Sequence, residues 1–129
     1  MRLFITCDSS WESKVDKVLN KLFDTGYNSF FENQNYGSSL NCIAIVLMCQ
    51  NPRLNLKRRI RFVRKEKTVY FDIMLDLDQF ISIDQKEREK VIVGKIISEI
   101  PPLVSKYKLE DFDLIKFEMD LKKWMNKIL

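Results

Sequence analysis

Apolar and polar residues trade places along this chain in two rhythms, one of two residues and one of three to four. The two-residue rhythm is clearest in residues 56–80, LKRRIRFVRKEKTVYFDIMLDLDQF. There Val69, Phe71, Ile73, Leu75 and Leu77 alternate with Tyr70, Asp72, Met74, Asp76 and Asp78. Such alternation sorts side chains onto the two faces of a pleated strand, so it predicts a half-buried β-strand. Just upstream, Ile60 and Phe62 share one side, with Arg58 and Arg64 at the ends; Lys57, Arg59, Arg61 and Val63 share the other. Lys65-Glu66-Lys67 reads as the turn between the two strands. It holds no Asn-Gly or Gly-Gly, so a loop longer than two residues is expected. The hairpin would carry one apolar face and one charged face, with a basic row beside an acidic row. Ion pairs across such a face contribute roughly 0.2–1 kcal/mol each, and the same bipolar surface can give register and specificity to a partner.

The flanking segments supply the remaining elements. Arg2–Cys7 is a short strand. Ser9 with Glu12 three residues on forms a capping box, and Trp11, Val15, Val18, Leu19 and Leu22 then recur at helical spacing. Gly26 suits a left-handed C-terminal cap. Residues 28–39, NSFFENQNYGSS, have loop chemistry, with a short strand over 29–32 as the alternative. Phe30, Phe31 and Tyr36 either tuck onto the core or, since loops often carry function, present a contact site. Residues 40–49, LNCIAIVLMC, are apolar almost throughout and predict a central strand, ended by Asn51-Pro52. One alternating set of that strand, Cys42, Ala44, Val46 and Met48 or Ile43, Ile45, Leu47 and Cys49, faces away from the helices if these cover one side only. Asp84 and Glu87 open a second helix, with Val91, Ile92, Ile96, Ile97 and Ile100 as its buried stripe. Pro101-Pro102 is expected to break or kink it. Asp111 or Asp113 opens the last helix, whose stripe is Leu114, Phe117, Leu121, Trp124 or Met125, and Ile128.

The order is β-α-β-β-β-α-α. It predicts an α+β fold: a mainly antiparallel sheet of about four strands with three helices packed on one face. The last three strands would form an antiparallel meander, and the first would lie beside either the second or the last. A chain of 129 residues is one domain, 1–129, with room for a real core. The net charge of +4 is modest. Basic 56–67 is balanced at once by acidic 72–84, so nucleic-acid binding has weak electrostatic support. Three cysteines, Cys7, Cys42 and Cys49, lie in apolar runs and do not form a disulfide framework. Buried thiols in a reducing cytoplasm are expected. The first residues hold too short an apolar run for a signal peptide, and no run reaches the ~18 apolar residues of a membrane span.

Candidate chemistry is sparse. The chain has no histidine, which removes the usual general base, most zinc sites and His-activated nucleophiles. Its three glycines are scattered and make no phosphate loop. Asp72, Asp76 and Asp78 are the one carboxylate group to test for a hard cation, but they share a solvated face with arginines. No catalytic residue, metal or cofactor is expected.

One wider pattern stands out. KRRIRFVRKEKTVYFDIMLDLDQF, an ER-containing helix start, and a late EDFD before the terminal helix resemble small bacterial immunity proteins of polymorphic toxin and contact-dependent growth inhibition systems. The strand Tyr70-Phe71-Asp72-Ile73-Met74-Leu75-Asp76 followed by Phe80 carries the likeness, and the MRLFITCDSSWE start fits it. The resemblance implies a cytoplasmic monomer that binds the C-terminal domain of one cognate toxin, often a nuclease, and neutralises it in a stoichiometric complex. On the residues, the expected contact surface is the outer hairpin face with the adjoining loop: Arg59, Arg61, Tyr70, Asp72, Met74, Asp76, Phe31 and Tyr36. The alternative is a nucleic-acid-associated regulator using Arg58, Arg59, Arg61, Arg64 and Lys65, with Phe62 and Tyr70 for stacking.

Overall fold

The computed structural model describes residues 1–7, 12–48 and 59–129. Ser9, Trp11, Cys49, Asn51-Pro52, Lys57 and Arg58 therefore lie outside the described residues. The strands are β1 (Arg2–Cys7), β2 (Cys42–Met48), β3 (Ile60–Val63) and β4 (Thr68–Met74). The helices are α1 (Glu12–Asp24), α2 (Tyr27–Glu32), α3 (Leu77–Ser82), α4 (Gln85–Lys106) and α5 (Leu114–Met125).

The four strands form one sheet in the order β1-β2-β4-β3. The α+β class and the four-stranded sheet are as expected, and the first strand lies beside the second. The antiparallel meander is not formed: β1–β2 and β2–β4 are parallel, and only β3–β4 is antiparallel. Burial explains the difference. β4 keeps Val69, Phe71 and Ile73 wholly buried, which suits a place between two neighbours. β3 is short, and its Arg61, Phe62 and Val63 are exposed, which suits an edge. Putting β3 outside β4 brings β4 against the apolar β2 in parallel.

The hairpin itself forms, with Val63 opposite Thr68 and a four-residue connection. That connection is a 3-10 turn, Arg64–Glu66, closed by Lys67 in the left-handed conformation (φ 48°). The strand stops at Met74, earlier than alternation suggests. Asp76 then caps α3 by accepting a hydrogen bond from the Gln79 N–H at 3.2 Å. Leu75 stays buried beyond the strand end.

Helices cover one face. Val15, Val18, Leu19 and Leu22 of α1 and Ile92, Val93, Ile96 and Ile100 of α4 are buried, packed over Leu3, Ile5, Ile43, Ile45, Leu47, Val69, Phe71 and Ile73. Gly26 takes φ +79° and closes α1 through its N–H to the Phe23 carbonyl. Residues 27–32 are helix, neither loop nor strand, because Tyr27 and Phe31, one turn apart, both reach the core. Pro101-Pro102 does not end α4. The prolines leave only the Ile97 and Ser98 carbonyls without their helical donors, and buried Ile100, Pro101 and Val104 hold the turn in place. Asp84 and Asp113 are the N-caps of α4 and α5, as expected.

Candidate functional site

The sheet's second face is built by strand alternation. Successive rows across it read Arg2–Cys42–Thr68–Val63, then Phe4–Ala44–Tyr70–Arg61, then Thr6–Val46–Asp72. These residues sit between the wholly buried positions that face the helices, so the outward set of β2 is Cys42, Ala44, Val46 and Met48. Tyr70, Met74, Val46 and Met48 are half-buried, and Phe4 is 38% exposed.

Two arginines reach over this face, each against a ring. The Arg61 guanidinium lies 5.2 Å from the Tyr70 ring centroid, and Arg2 lies 5.2 Å from that of Phe4. Arg61 also stands 3.6 Å from Asp72 Oδ1. Asp72 pairs with Val46, on the side opposite to Phe71 and Ile73, so the alternation is in the expected register, but at 4% exposure the carboxylate is buried there and not solvated as the sequence suggests. Between the rows lies a hollow of about 250 Å³. Cys42, Ala44 and Thr68 floor it, Arg2 and Phe4 wall it on the β1 side, and Tyr70 and Glu66 on the β4 side. Burial pushes the Cys42 thiol pKa up, while the Arg2 charge pulls it down.

The other sequence-predicted residues go elsewhere. Arg59 turns over the sheet edge: its Nε–H donates to the Asp72 carbonyl at 3.0 Å, and its guanidinium pairs with Glu99 of α4 at 2.5 Å. Asp76 is exposed but engaged as the α3 cap. Phe31 and Tyr36 are corrections. They are 0% and 2% exposed, within an aromatic cluster that includes Phe112 and Phe117. The Tyr36 hydroxyl donates to Asp120 at 2.7 Å, and burial with that bond drives its pKa far up. The segment tucks inward because three large rings bury more apolar area than a polar loop could offset. Its backbone is pinned to the start of α5: the Asp113 N–H donates to the Tyr36 carbonyl at 2.7 Å, and Ser38 donates to Asp111. Those bonds hold the Asp111 carboxyl below its usual range. Neither this segment nor α5 covers the open face.

Sequence reasoning missed Arg2, Phe4 and Glu66. Arg2 and Phe4 alternate visibly with Leu3 and Ile5, but only the parallel pairing of β1 with β2 brings them beside Ala44. Among the described residues no cluster of three or more acidic or cysteine side chains is placed to hold a metal, and no helix is long and apolar enough to cross a membrane. The face offers two rings and two guanidinium groups around a floor of Cys42, Ala44 and Thr68.

No curated protein and no solved structure matches the chain. The family model described as Immunity protein 44 matches residues 1–127. A match over nearly the whole length shows that the chain belongs to this family of bacterial immunity proteins.

Proposed function

We propose that this protein binds a cognate toxin domain and neutralises it as a stoichiometric complex, and that the toxin docks on the open face of the sheet. The observation that carries the reading is the asymmetry of the two faces. One is sealed by helices, while the other keeps Phe4, Tyr70 and Met74 accessible beside Arg2 and Arg61. An apolar patch rimmed by charge is the usual mark of a binding surface, and Tyr, Met and Arg are enriched in such surfaces. The toxin is the C-terminal domain of a contact-dependent growth inhibition or related polymorphic effector, a nuclease in the first instance. The protein meets it in the cytoplasm as a monomer. The net charge of +4 suits an acidic toxin surface.

The test is co-expression with the toxin domain encoded beside it, followed by native mass measurement and calorimetry. A one-to-one complex is expected. Tyr70→Ala should weaken it by roughly 1–2 kcal/mol or more with little change in melting temperature, and Arg61→Glu should weaken it further while also lowering the melting temperature, because it sets a like charge beside the buried Asp72 carboxylate. If both variants bind and protect cells as well as the parent, the interface lies off this face. If the parent forms no complex, neutralisation by binding is wrong.

A further inference from the structure

We infer that the hollow over Ala44 is a socket for one aromatic side chain of an extended partner segment, with a carboxylate two residues away held by Arg2. This rests on the docking face proposed above and specifies the partner's chemistry there. The register supplies the socket. Phe4 and Tyr70 flank Ala44 in one row, two strand spacings apart, which is roughly 10 Å. Ala44 projects only a methyl group between them, and the space above measures about 250 Å³. A ring placed midway would lie about 5 Å from each wall, within the 4.5–7 Å range of favourable ring pairs. Arg61 approaches Tyr70 from β3, the strand beyond it, while Arg2, 5.2 Å from the Phe4 ring centroid, lines the hollow on the opposite side.

Charge fixes the second element. Arg2 is exposed, and no carboxylate among the described residues lies within ion-pair distance of it. It belongs to the next row of the sheet, two residues along the strand from Phe4. In an extended partner segment, side chains at i and i+2 point the same way, roughly 7 Å apart. That step spans the Ala44 and Cys42 rows, and the Arg2 side chain, which starts in the second row and reaches to 5.2 Å from the Phe4 ring centroid, lies between the two positions. Glu66, across the hollow from Arg2, repels a carboxylate on its own side and so directs it to Arg2. A segment of the form aromatic-x-acidic satisfies both features.

The test uses the parent complex with the toxin domain encoded beside it, measured by calorimetry at two salt concentrations. Ala44→Leu fills the socket and should lower affinity at least 100-fold. Phe4→Ala removes an exposed wall on the edge strand β1, so it tests the socket even if Ala44→Leu folds poorly, and it should lower affinity about tenfold. Arg2→Glu tests the carboxylate contact. It should lower affinity at least tenfold and flatten the salt dependence, and Glu66→Gln should raise affinity a few-fold. Replacing the partner carboxylate by Lys should restore binding to Arg2→Glu but not to the parent. Ile115→Ser with Met119→Ser, on the exposed side of α5, should leave affinity unchanged. Unchanged affinity in Arg2→Glu and Phe4→Ala, and in Ala44→Leu where it folds, with Arg61→Glu still weakened, would overturn the socket and leave the docking face standing. Loss of affinity only in the α5 variant would overturn both. Tight binding of a 20-nucleotide single-stranded RNA, lost in Arg2→Glu, would overturn the peptide in favour of nucleic acid.

Discussion

Glu89 is a carboxylate at 3% exposure on α4, and its surroundings decide what each of its neighbours is worth. Lys21 of α1 donates to Oε1 at 2.8 Å, while Lys86, one turn earlier on α4, stands 3.8 Å from Oε2. Oε2 is buried without a hydrogen bond. Breaking a fully buried pair by removing one partner costs about 3–5 kcal/mol, and an exposed pair is worth about 0.2–1 kcal/mol. This pair is mixed, since the Lys21 side chain is 46% exposed and Glu89 only 4%. Lys21→Met should therefore cost about 2 kcal/mol, an intermediate value. Lys86→Met, without a true hydrogen bond to lose, should cost about 0.5 kcal/mol or less. The diagnostic variant is the double Lys21→Met/Glu89→Leu. It removes the stranded charge along with its partner and puts apolar area between α1 and α4, so it should recover at least half of the loss. Urea unfolding followed by circular dichroism reads all three. With a slope of about 2 kcal/mol/M, the middle of the range for small proteins, a 2 kcal/mol loss moves the midpoint by about 1 M. If the two lysine variants cost the same, or the double variant is less stable than Lys21→Met alone, the pair is not a buried-charge clamp and the reasoning fails.

Gly37→Ala should cost about 3 kcal/mol or more in the same unfolding assay. Its Cβ would fall 1.9 Å from the Asp111 carbonyl oxygen at φ +127°. Gly26→Ala, at φ +79° with open space around it, should cost only about 1 kcal/mol. Asp84→Ala removes the carboxylate that accepts from the Glu87 N–H at 2.9 Å and should cost about 1 kcal/mol. Burial raises the Tyr27 pKa to about 12 and drives that of Tyr36 up as well. A folded pKa above the unfolded value means stability that is full below pH 10 and lost as pH rises through the folded value. Alkaline titration at 295 nm should show Tyr27 and Tyr36 ionising late and with unfolding; ionisation of both in the ordinary phenol range would refute this.

The fold was legible where local chemistry and tertiary packing agree. Asp84 and Asp113 cap helices because a short carboxylate at that position satisfies free N–H groups whatever packs nearby. Gly26 is left-handed for an equally local reason. The β2–β4 pairing was not legible. Alternation in β4 tells which side of each residue is buried and says nothing about which strand lies beside it. Pro101-Pro102 does not break α4, one of the two outcomes the pair suggests, because the buried Ile100, Pro101 and Val104 hold the helix across the missing bonds.

The site divides along the same line. Tyr70 and Arg61 were placed together by sequence alone, since hairpin pairing is a short-range matter and their cross-strand contact follows from it. Phe31 and Tyr36 were misplaced because a segment rich in Asn, Ser and Gly resembles a surface loop, while its rings have a hydrophobic destination only if Phe112 and Phe117, some eighty residues later, arrive beside them. Arg2, Phe4 and Ala44 show what topology adds. Each is unremarked in sequence: a charge at a chain start, one ring in a strand, one small residue in an apolar run. The parallel β1–β2–β4 ladder sets the small residue between two rings and leaves a guanidinium one row away. Neither strand encodes that juxtaposition, and the aromatic-x-acidic segment proposed as its occupant could not have been inferred from either strand alone.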